Sequence, residues 1–271
     1  MRRLILTLSA IALFGSIVTA EIRAPRIGIV RQLDEKMRPV YGVTANLICG
    51  KAWDIQNVTA ASFSDQAGLV LAGNRLVLET LDGTMLGSVQ ISESNPLLAI
   101  ESSPATAAAW LPSSGKLLIW DGQSFVQTRL DVASLPGKPT AIRRAGNDSV
   151  EFLLDTADGS SARAVVSTSS GAVLEFTTLP GLSEPAFASS SSVVGQDHHQ
   201  LILQLNDGSR QTLPISGEDL AFQKVSSNWL AVTSKAAGRQ WLIHVDRAGA
   251  GVSELPQGLD SSTTAHIEAA R

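Results

Sequence analysis

QLILQLNDGSRQTLPI, residues 200–215, places a short polar turn between two apolar runs. The turn is Asn206–Asp207–Gly208–Ser209, and the run Leu201–Ile202–Leu203 comes just before it. Asp and Gly tolerate the positive φ that a tight hairpin of the favoured hand requires. The stretch therefore predicts two antiparallel strands joined by a tight turn.

This hairpin pattern recurs along the chain at nearly even intervals. Its turn centres are separated by steps of 48, 39, 48, 38 and 39 residues. A period near forty residues is typical of radial repetition of a four-stranded unit. The six hairpins are Ile27–Val43 around Asp34, Arg75–Ile91 around Asp82, Lys116–Leu130 around Asp121, Ala164–Leu179 around Ser169, Gln200–Ile215 around Asp207 and Trp241–Leu255 around Asp246.

A second series of turns lies between the first, with steps of 39, 44, 43 and 37 residues. Two interleaved series of nearly equal period predict units of four strands, a to d, in chain order. Runs such as Leu117–Leu118–Ile119–Trp120 are continuously apolar, as expected of strands covered on both faces. The second turns are at Ser64–Asp65, Ser103–Pro104, Asn147–Asp148, Ser190–Ser191 and Ser227–Asn228.

These patterns predict an all-β protein, a β-propeller of about six four-stranded blades with one blade composite or incomplete. Six hairpins but only five of the second turns are present, so we interpret Ile27–Val43 as a c–d hairpin without inner strands of its own. The stretch Gln257–Arg271 is the available donor for completing that blade, with one strand at most from Thr263 to Ala269. A partly open ring is the alternative.

The N-terminus predicts export. Met1–Arg2–Arg3 is a basic start, residues 4–18 are largely apolar, and Val18–Thr19–Ala20 has the small residues of a cleavage site. We expect a signal peptide over residues 1–20 and a single propeller domain over 21–271, in the periplasm or outside the cell. An uncleaved anchor is the alternative, although a spanning helix needs about 20 apolar residues.

The charge balance bears on partners. The chain has 21 Lys and Arg against 25 Asp and Glu, a net charge of −4, and cleavage after Ala20 also removes Arg2 and Arg3. No basic run is present to neutralise phosphates. We therefore expect neither nucleic acid nor, after signal cleavage, a membrane as partner, and the partner stays an unidentified protein or small ligand.

Catalytic motifs are lacking, and we single out no catalytic, cofactor-binding or metal-ligating residue. Neighbouring His198 and His199 would point to opposite faces of a strand, and His244 lies within an apolar run. Asp155–Gly159 is only faintly like a calcium loop and is better explained as a turn. The lone Cys49 is either an inert packing residue or a reactive or pairing thiol.

Five tryptophans form the one other candidate set. Their placement at similar points of different units indicates packing between blades, with a stacking platform for a sugar or planar cofactor as the alternative. They are Trp53, Trp110, Trp120, Trp229 and Trp241.

The turn Ser62–Asp65 followed by Gly68–Leu71 resembles the "SPDG" turn of WD40-like and YVTN-type bacterial propellers. Ile29–Asp34 followed by Met37–Gly42 is similar to the mature start of secreted bacterial proteins predicted to be propellers. The resemblance covers most of residues 26–256 at the level of repeat pattern. It implies the fold and export, and it carries over no functional residue.

Three functional classes follow from this reading. The first is a non-catalytic binding or scaffold propeller, because function in such folds depends on sites added to the scaffold and no site with chemistry is evident. The second is a subunit of a surface or secretion assembly, which would show an exposed apolar patch. The third is a metal-dependent propeller hydrolase or lactonase, which would need carboxylate and amide oxygens converging on the central channel.

Overall fold

The computed structural model describes residues 24–44, 46–53, 55, 57–130, 135–247 and 249–256. The predicted signal peptide and the proposed C-terminal donor strand lie outside these residues. Six antiparallel sheets follow one another along the chain, and one turn of 3-10 helix, Pro104–Thr106, is the only helix in the described part. No helix in these residues is long and apolar enough to span a membrane. The protein is an all-β propeller, as predicted.

Each sheet is one blade, and its strands are consecutive in the chain. Blade 1 has three strands and blades 2 to 6 have four each. Blade 1 comprises β1 (Arg26–Arg31), β2 (Met37–Val43) and β3 (Asn46–Cys49); blade 2 β4 (Val58–Phe63), β5 (Ala67–Ala72), β6 (Arg75–Thr80) and β7 (Met85–Gln90); blade 3 β8 (Leu97–Ala99), β9 (Ala108–Leu111), β10 (Lys116–Trp120) and β11 (Phe125–Arg129). Blade 4 comprises β12 (Gly137–Arg144), β13 (Ser149–Thr156), β14 (Ser161–Ser167) and β15 (Val173–Leu179); blade 5 β16 (Ser183–Ser189), β17 (Ser192–Asp197), β18 (Gln200–Leu205) and β19 (Arg210–Ser216); blade 6 β20 (Leu220–Ser226), β21 (Trp229–Ser234), β22 (Arg239–Asp246) and β23 (Gly249–Glu254).

In blades 2 to 6 the strands run a, b, c, d from the channel outward. The first strands, β4, β8, β12, β16 and β20, contact one another around the centre, and β20 also meets β4 directly. All five a–b turns fall where the second turn series predicts them, and the c–d turns fall at the predicted hairpins. Because alternate strands reverse direction, the a–b and c–d turns share one face of the ring, which we call the a–b face.

Blade 1 differs from the prediction in the identity of its strands. The Gln223 side chain contacts the backbone of both Ile29 and Arg31, whereas Val225, further along β20, lies against Gly28. β1 therefore runs opposite to β20, in the direction of a b strand. Among the described residues, blade 1 therefore consists of strands b, c and d, without an innermost strand a.

The interpretation of Ile27–Val43 as a c–d hairpin is thus wrong, since it is the b–c hairpin of its blade. Hairpins b–c and c–d look alike in sequence, because both are two apolar runs around a polar turn. Only the direction of β1 against β20 separates them. The first step of 48 residues accordingly joins a b–c turn at Asp34 to a c–d turn at Asp82.

Side-chain amides from blade 6 cover the inner edge of β1. The amide oxygen of Gln223 accepts from the backbone N–H of Arg31 at 2.9 Å, and its nitrogen donates to the Ile29 carbonyl at 3.4 Å. Gln240 Nε2 donates to the Arg31 carbonyl at 2.8 Å. These bonds satisfy backbone groups that an innermost strand would otherwise pair.

Large rings fill the spaces between blades, as the tryptophan pattern predicts. Trp110 of blade 3 is fully buried and meets Phe152 of blade 4 edge to face, with ring centroids 5.4 Å apart. Trp120 of blade 3 lies so close to Gly87 of blade 2 that a Cβ there would approach the indole within 2.4 Å. Buried rings of this kind are packing residues and offer no face to a sugar or cofactor.

Candidate functional site

The channel at the centre of the ring contains a cavity of about 560 Å³. Strands from blades 2 to 6 surround it, and Arg31 of β1 reaches it from blade 1. Between the two faces the wall is made mainly of small and apolar side chains, including Ala61, Leu98, Ile142 and Ala221. Three carboxylates, those of Glu101, Glu184 and Asp219, also line the cavity, but among the described residues they are not grouped as the ligands of a hard metal would be.

A second cavity, of about 610 Å³, opens at the a–b face and is lined mainly by charged and polar side chains. Glu101, just after β8, lines both cavities, so the channel and the outer cavity meet at this carboxylate. We call the surrounding group, Ser62, Glu101, Arg143 and Lys224, the channel mouth. It brings together residues from blades 2, 3, 4 and 6 that no short motif connects.

Lys224 occupies the channel mouth on β20. Its Nζ donates to the carbonyl of Ala188 at 2.9 Å and to that of Ser227 at 3.0 Å. The pKa of Lys224 is lowered to about 8. Burial is the main cause and nearby Arg143 adds to it, whereas Glu101 and Asp65 oppose the shift. Within the described residues the ammonium group is thus bound to neutral carbonyls, while the carboxylates of Glu101 and Asp65 act on it from beyond ion-pair distance.

Arg143, on β12, binds backbone carbonyls at the end of β16. Its guanidinium donates to the carbonyls of Ser189 and Ser190, both at 3.0 Å, and stacks over the Phe187 ring 4.3 Å away. Its Nε donates to the Glu151 carboxylate at 2.7 Å. Two neutral carbonyls and one buried carboxylate therefore compensate the charge of the Arg143 guanidinium and fix its position.

Glu151 is the centre of a buried charge cluster in blade 4. Its side chain is 2% exposed and forms ion pairs with both Arg143 and Arg163. Sequence reasoning missed this cluster, although Arg143 and Glu151 each lie four residues from Asn147 in the predicted turn and are direct partners across the hairpin. Opposite charges placed symmetrically about a predicted turn were the available signal.

Two groups at the channel mouth have acceptor or donor capacity to spare. Ser62 is 2% exposed, and its Oγ forms no hydrogen bond within the described residues. Glu101 is partly buried, and in the same part of the chain its carboxylate accepts no hydrogen bond and has no cation within ion-pair distance. A buried hydroxyl without a partner costs free energy, and a partly buried carboxylate without a cation attracts one, so both groups favour a ligand or water at this point.

The histidines lie elsewhere. His198 and His199 form the exposed b–c turn of blade 5, on the face opposite the channel mouth, and both have positive φ, 49° and 65°. His244 stacks on Trp229 with ring centroids 4.6 Å apart. Among the residues that the structure describes, no three His, Cys, Asp or Glu side chains are grouped to hold a metal.

The turn aspartates act locally. In the Asp155–Gly159 turn, Asp158 accepts hydrogen bonds from Thr156 at 2.5 Å and from the backbone and hydroxyl of Ser160. These bonds lower the pKa of Asp158 to about 2. The same side-chain-to-backbone bond recurs at Asp82, Asp121 and Asp207, which is the pattern of an Asx turn.

Cys49 ends β3 beside the last described residues. Gln32 Nε2 donates to its sulfur at 3.0 Å, and the Pro256 carbonyl lies 3.7 Å from the same atom. Burial raises the pKa of the Cys49 thiol. A raised pKa disfavours the thiolate, so the geometry favours the inert packing role over a reactive thiol.

No family model matches the sequence, and no curated protein matches it. Solved structures of similar fold include a chain of a nidogen/laminin complex, with a TM-score of 0.54, 11% identity and coverage of 85% of this chain and 93% of that chain. BamB from Moraxella catarrhalis has a TM-score of 0.39 at 10% identity, covering 88% and 91%. Virginiamycin B lyase from Staphylococcus aureus, with quinupristin, has 0.47 at 12%, covering 89% and 87%. At such low sequence identity, these similarities bear on the fold and not on the function.

Proposed function

We propose that this protein is an exported, non-catalytic β-propeller that works as a binding module through its central channel. The channel wall supports this: most of its lining is small or apolar, and the carboxylates that also line it, Glu101, Glu184 and Asp219, are not grouped to hold a metal among the described residues. The basic, apolar and small-residue segments of residues 1–20 support export to the periplasm or beyond. The mature chain is a single domain over residues 21–271.

Export is tested by the mass of the protein from a bacterial host that processes signal peptides. We expect a chain beginning at Glu21 in the periplasmic or extracellular fraction. A chain that retains Met1 and stays in the membrane fraction contradicts export. An Ala20→Lys variant blocks the small-residue cleavage site and serves as the control that should keep its leader.

The non-catalytic role is tested by melting the protein with calcium, zinc and manganese ions. A binding module that needs no metal should melt at the same temperature in all three and after chelation. A saturable rise of several degrees with one metal contradicts the proposal and favours the enzyme alternative, because a ligand that binds only the folded state raises its stability by mass action.

A second candidate function, a subunit of a surface assembly, is favoured by exposed apolar side chains on the rim. Leu174 and Phe176 are 63% and 44% exposed on the same face of β15, the outermost strand of blade 4. Paired apolar side chains on an outer strand are a common feature of partner surfaces. Cross-linking in the native host with the Leu174→Ser/Phe176→Ser variant tests it: loss of the cross-links, with the melting temperature unchanged, supports an assembly role.

A further inference from the structure

We infer that the channel mouth binds a small zwitterion of the α-amino acid class with an apolar side chain. The inference rests on the proposed binding function and names its ligand class. Lys224 and Ser62 receive the carboxylate, Glu101 receives the ammonium group, and the side chain enters the channel.

The carboxylate end follows from the two donors. The Lys224 ammonium has three N–H groups and uses two of them on the carbonyls of Ala188 and Ser227, so one donor has no acceptor among the residues that the structure describes. Ser62 lines the same cavity, and its buried hydroxyl has no partner within the described residues. A carboxylate accepts from both and forms the charge-assisted bond that Lys224 lacks.

The ammonium end follows from Glu101. This carboxylate lines both cavities and has no ion pair in the described part of the chain, whereas Glu151 close by is already paired with Arg143 and Arg163. A ligand ammonium completes it. A simple anion would meet Glu101 as a like charge, and a simple cation would meet Lys224 and Arg143, so the mixed charges select a zwitterion.

The apolar part follows from the channel wall. Past the charged mouth, Ala61, Leu98 and Ile142 line a cavity of about 560 Å³. Small-molecule sites are about 300 to 1,000 Å³ and combine an apolar lining with a few placed polar groups. An aliphatic side chain gains free energy by leaving water for this wall.

The test uses isothermal titration calorimetry of the mature protein at pH 7 with three matched compounds. L-leucine carries both charges, 4-methylpentanoate lacks only the amine, and 3-methylbutylamine lacks only the carboxylate. We expect saturable binding of L-leucine and at least tenfold weaker binding of both analogues. Equal binding of an analogue overturns the zwitterion assignment.

Variants assign the binding to the mouth. Lys224→Met and Glu101→Gln should each weaken L-leucine binding at least tenfold, whereas Lys235→Met, exposed in a turn, and Glu254→Gln, on the outer strand of blade 6, should leave it unchanged. Should Lys224→Met fail to fold, Ser62→Val keeps both charges and should still weaken binding. L-leucine binding that survives Glu101→Gln and Ser62→Val overturns the site.

The pH dependence gives a further readout. Because the Lys224 ammonium faces Glu101, Asp65 and Arg143 and loses its proton near pH 8, the affinity for L-leucine should fall between pH 7 and pH 9, before the amine of the ligand is fully deprotonated. Absence of L-leucine binding up to about 10 mM by a folded protein rejects this site. Export and metal independence, measured separately, would still stand.

Discussion

At the scale of single residues, turn chemistry and charge placement follow different rules. The Asp-Gly turns are local: Asp207 accepts from Ser209 two residues away, and Gly208 has a φ of +85°. The charges at the channel mouth are long-range, because Lys224 is surrounded by groups from blades 2, 3, 4 and 5. Local chemistry is visible in sequence, whereas a convergence of distant residues is visible only in the folded ring.

Gly208 tests the turn chemistry. Gly208→Val should lower the free energy of unfolding by about 1–3 kcal/mol, because a β-branched residue resists positive φ. No atom lies within 4 Å of a Cβ built at Gly208, so the cost comes from the backbone and not from a clash. Gly208→Asn, which tolerates this φ better, is the control and should cost less. Urea unfolding measures both; equal stability of all three proteins contradicts the positive-φ requirement.

The pH dependence of the free energy of unfolding tests the cost of burying Lys224. Its pKa is about 8 in the folded protein and near 10.5 when unfolded, so the unfolded chain binds more protons between these values. The contribution of this group to stability should therefore rise from pH 8 to pH 10.5. Lys224→Met should remove that rise, seen by urea unfolding at both pH values. An identical pH slope in the variant and the unchanged protein would show that Lys224 keeps an ordinary pKa.

At the scale of elements, blade 1 is the exception that explains the ring. It packs as a wedge: Ile27, Val30 and Val40 lie against blade 6, and Ile29 and Met37 against blade 2. Its inner edge is satisfied by Gln223 and Gln240 side chains in place of a strand. Side-chain amides thus do for β1 what backbone pairing does for the other b strands.

Gln223 tests how blade 1 is held. Gln223→Leu should cost about 1–3 kcal/mol, since the Arg31 N–H and the Ile29 carbonyl lose their partner. Hydrogen exchange should quicken in β1 before it does in blades 3 to 5. Gln204→Leu is the matched control and should leave β1 exchange unchanged, because the Gln204 amide oxygen accepts from the exposed side chain of Arg210, far from β1. Uniform exchange across all blades in the Gln223 variant would mean that blade 1 is not separately held.

At the scale of the whole molecule, closure depends on the same wedge. The inner strands β20 and β4 meet directly, and the Asp65 carboxylate accepts from the Ser227 hydroxyl at 2.7 Å between their a–b turns. Behind this contact, blade 1 lies between blades 6 and 2, and its apolar side chains pack against both. Blades 2 and 6 therefore contact each other directly at the channel, whereas further out they are connected through blade 1.

Deleting residues 21–43 tests whether blade 1 is needed to close the ring. The shortened protein should lose solubility and unfold with lower cooperativity, because the apolar faces of blades 2 and 6 become exposed. Trimming only residues 21–24 removes no strand and is the control. Size-exclusion chromatography and thermal melts measure the effect. A monomeric deletion variant that melts as sharply as the control would show that blade 1 is dispensable.

The repeat and its turns were determined by the sequence alone, because each hairpin depends on residues within about four positions of its turn, as at Asn206–Ser209. The propeller followed from the period. The direction of β1 and the channel mouth were decided only by the tertiary structure. The b–c and c–d hairpins carry the same local signal, so nothing near Asp34 distinguishes them. Closure of the ring brings together Lys224, Glu101 and Ser62. Their spacing along the chain does not indicate which strand ends meet at the centre of the ring.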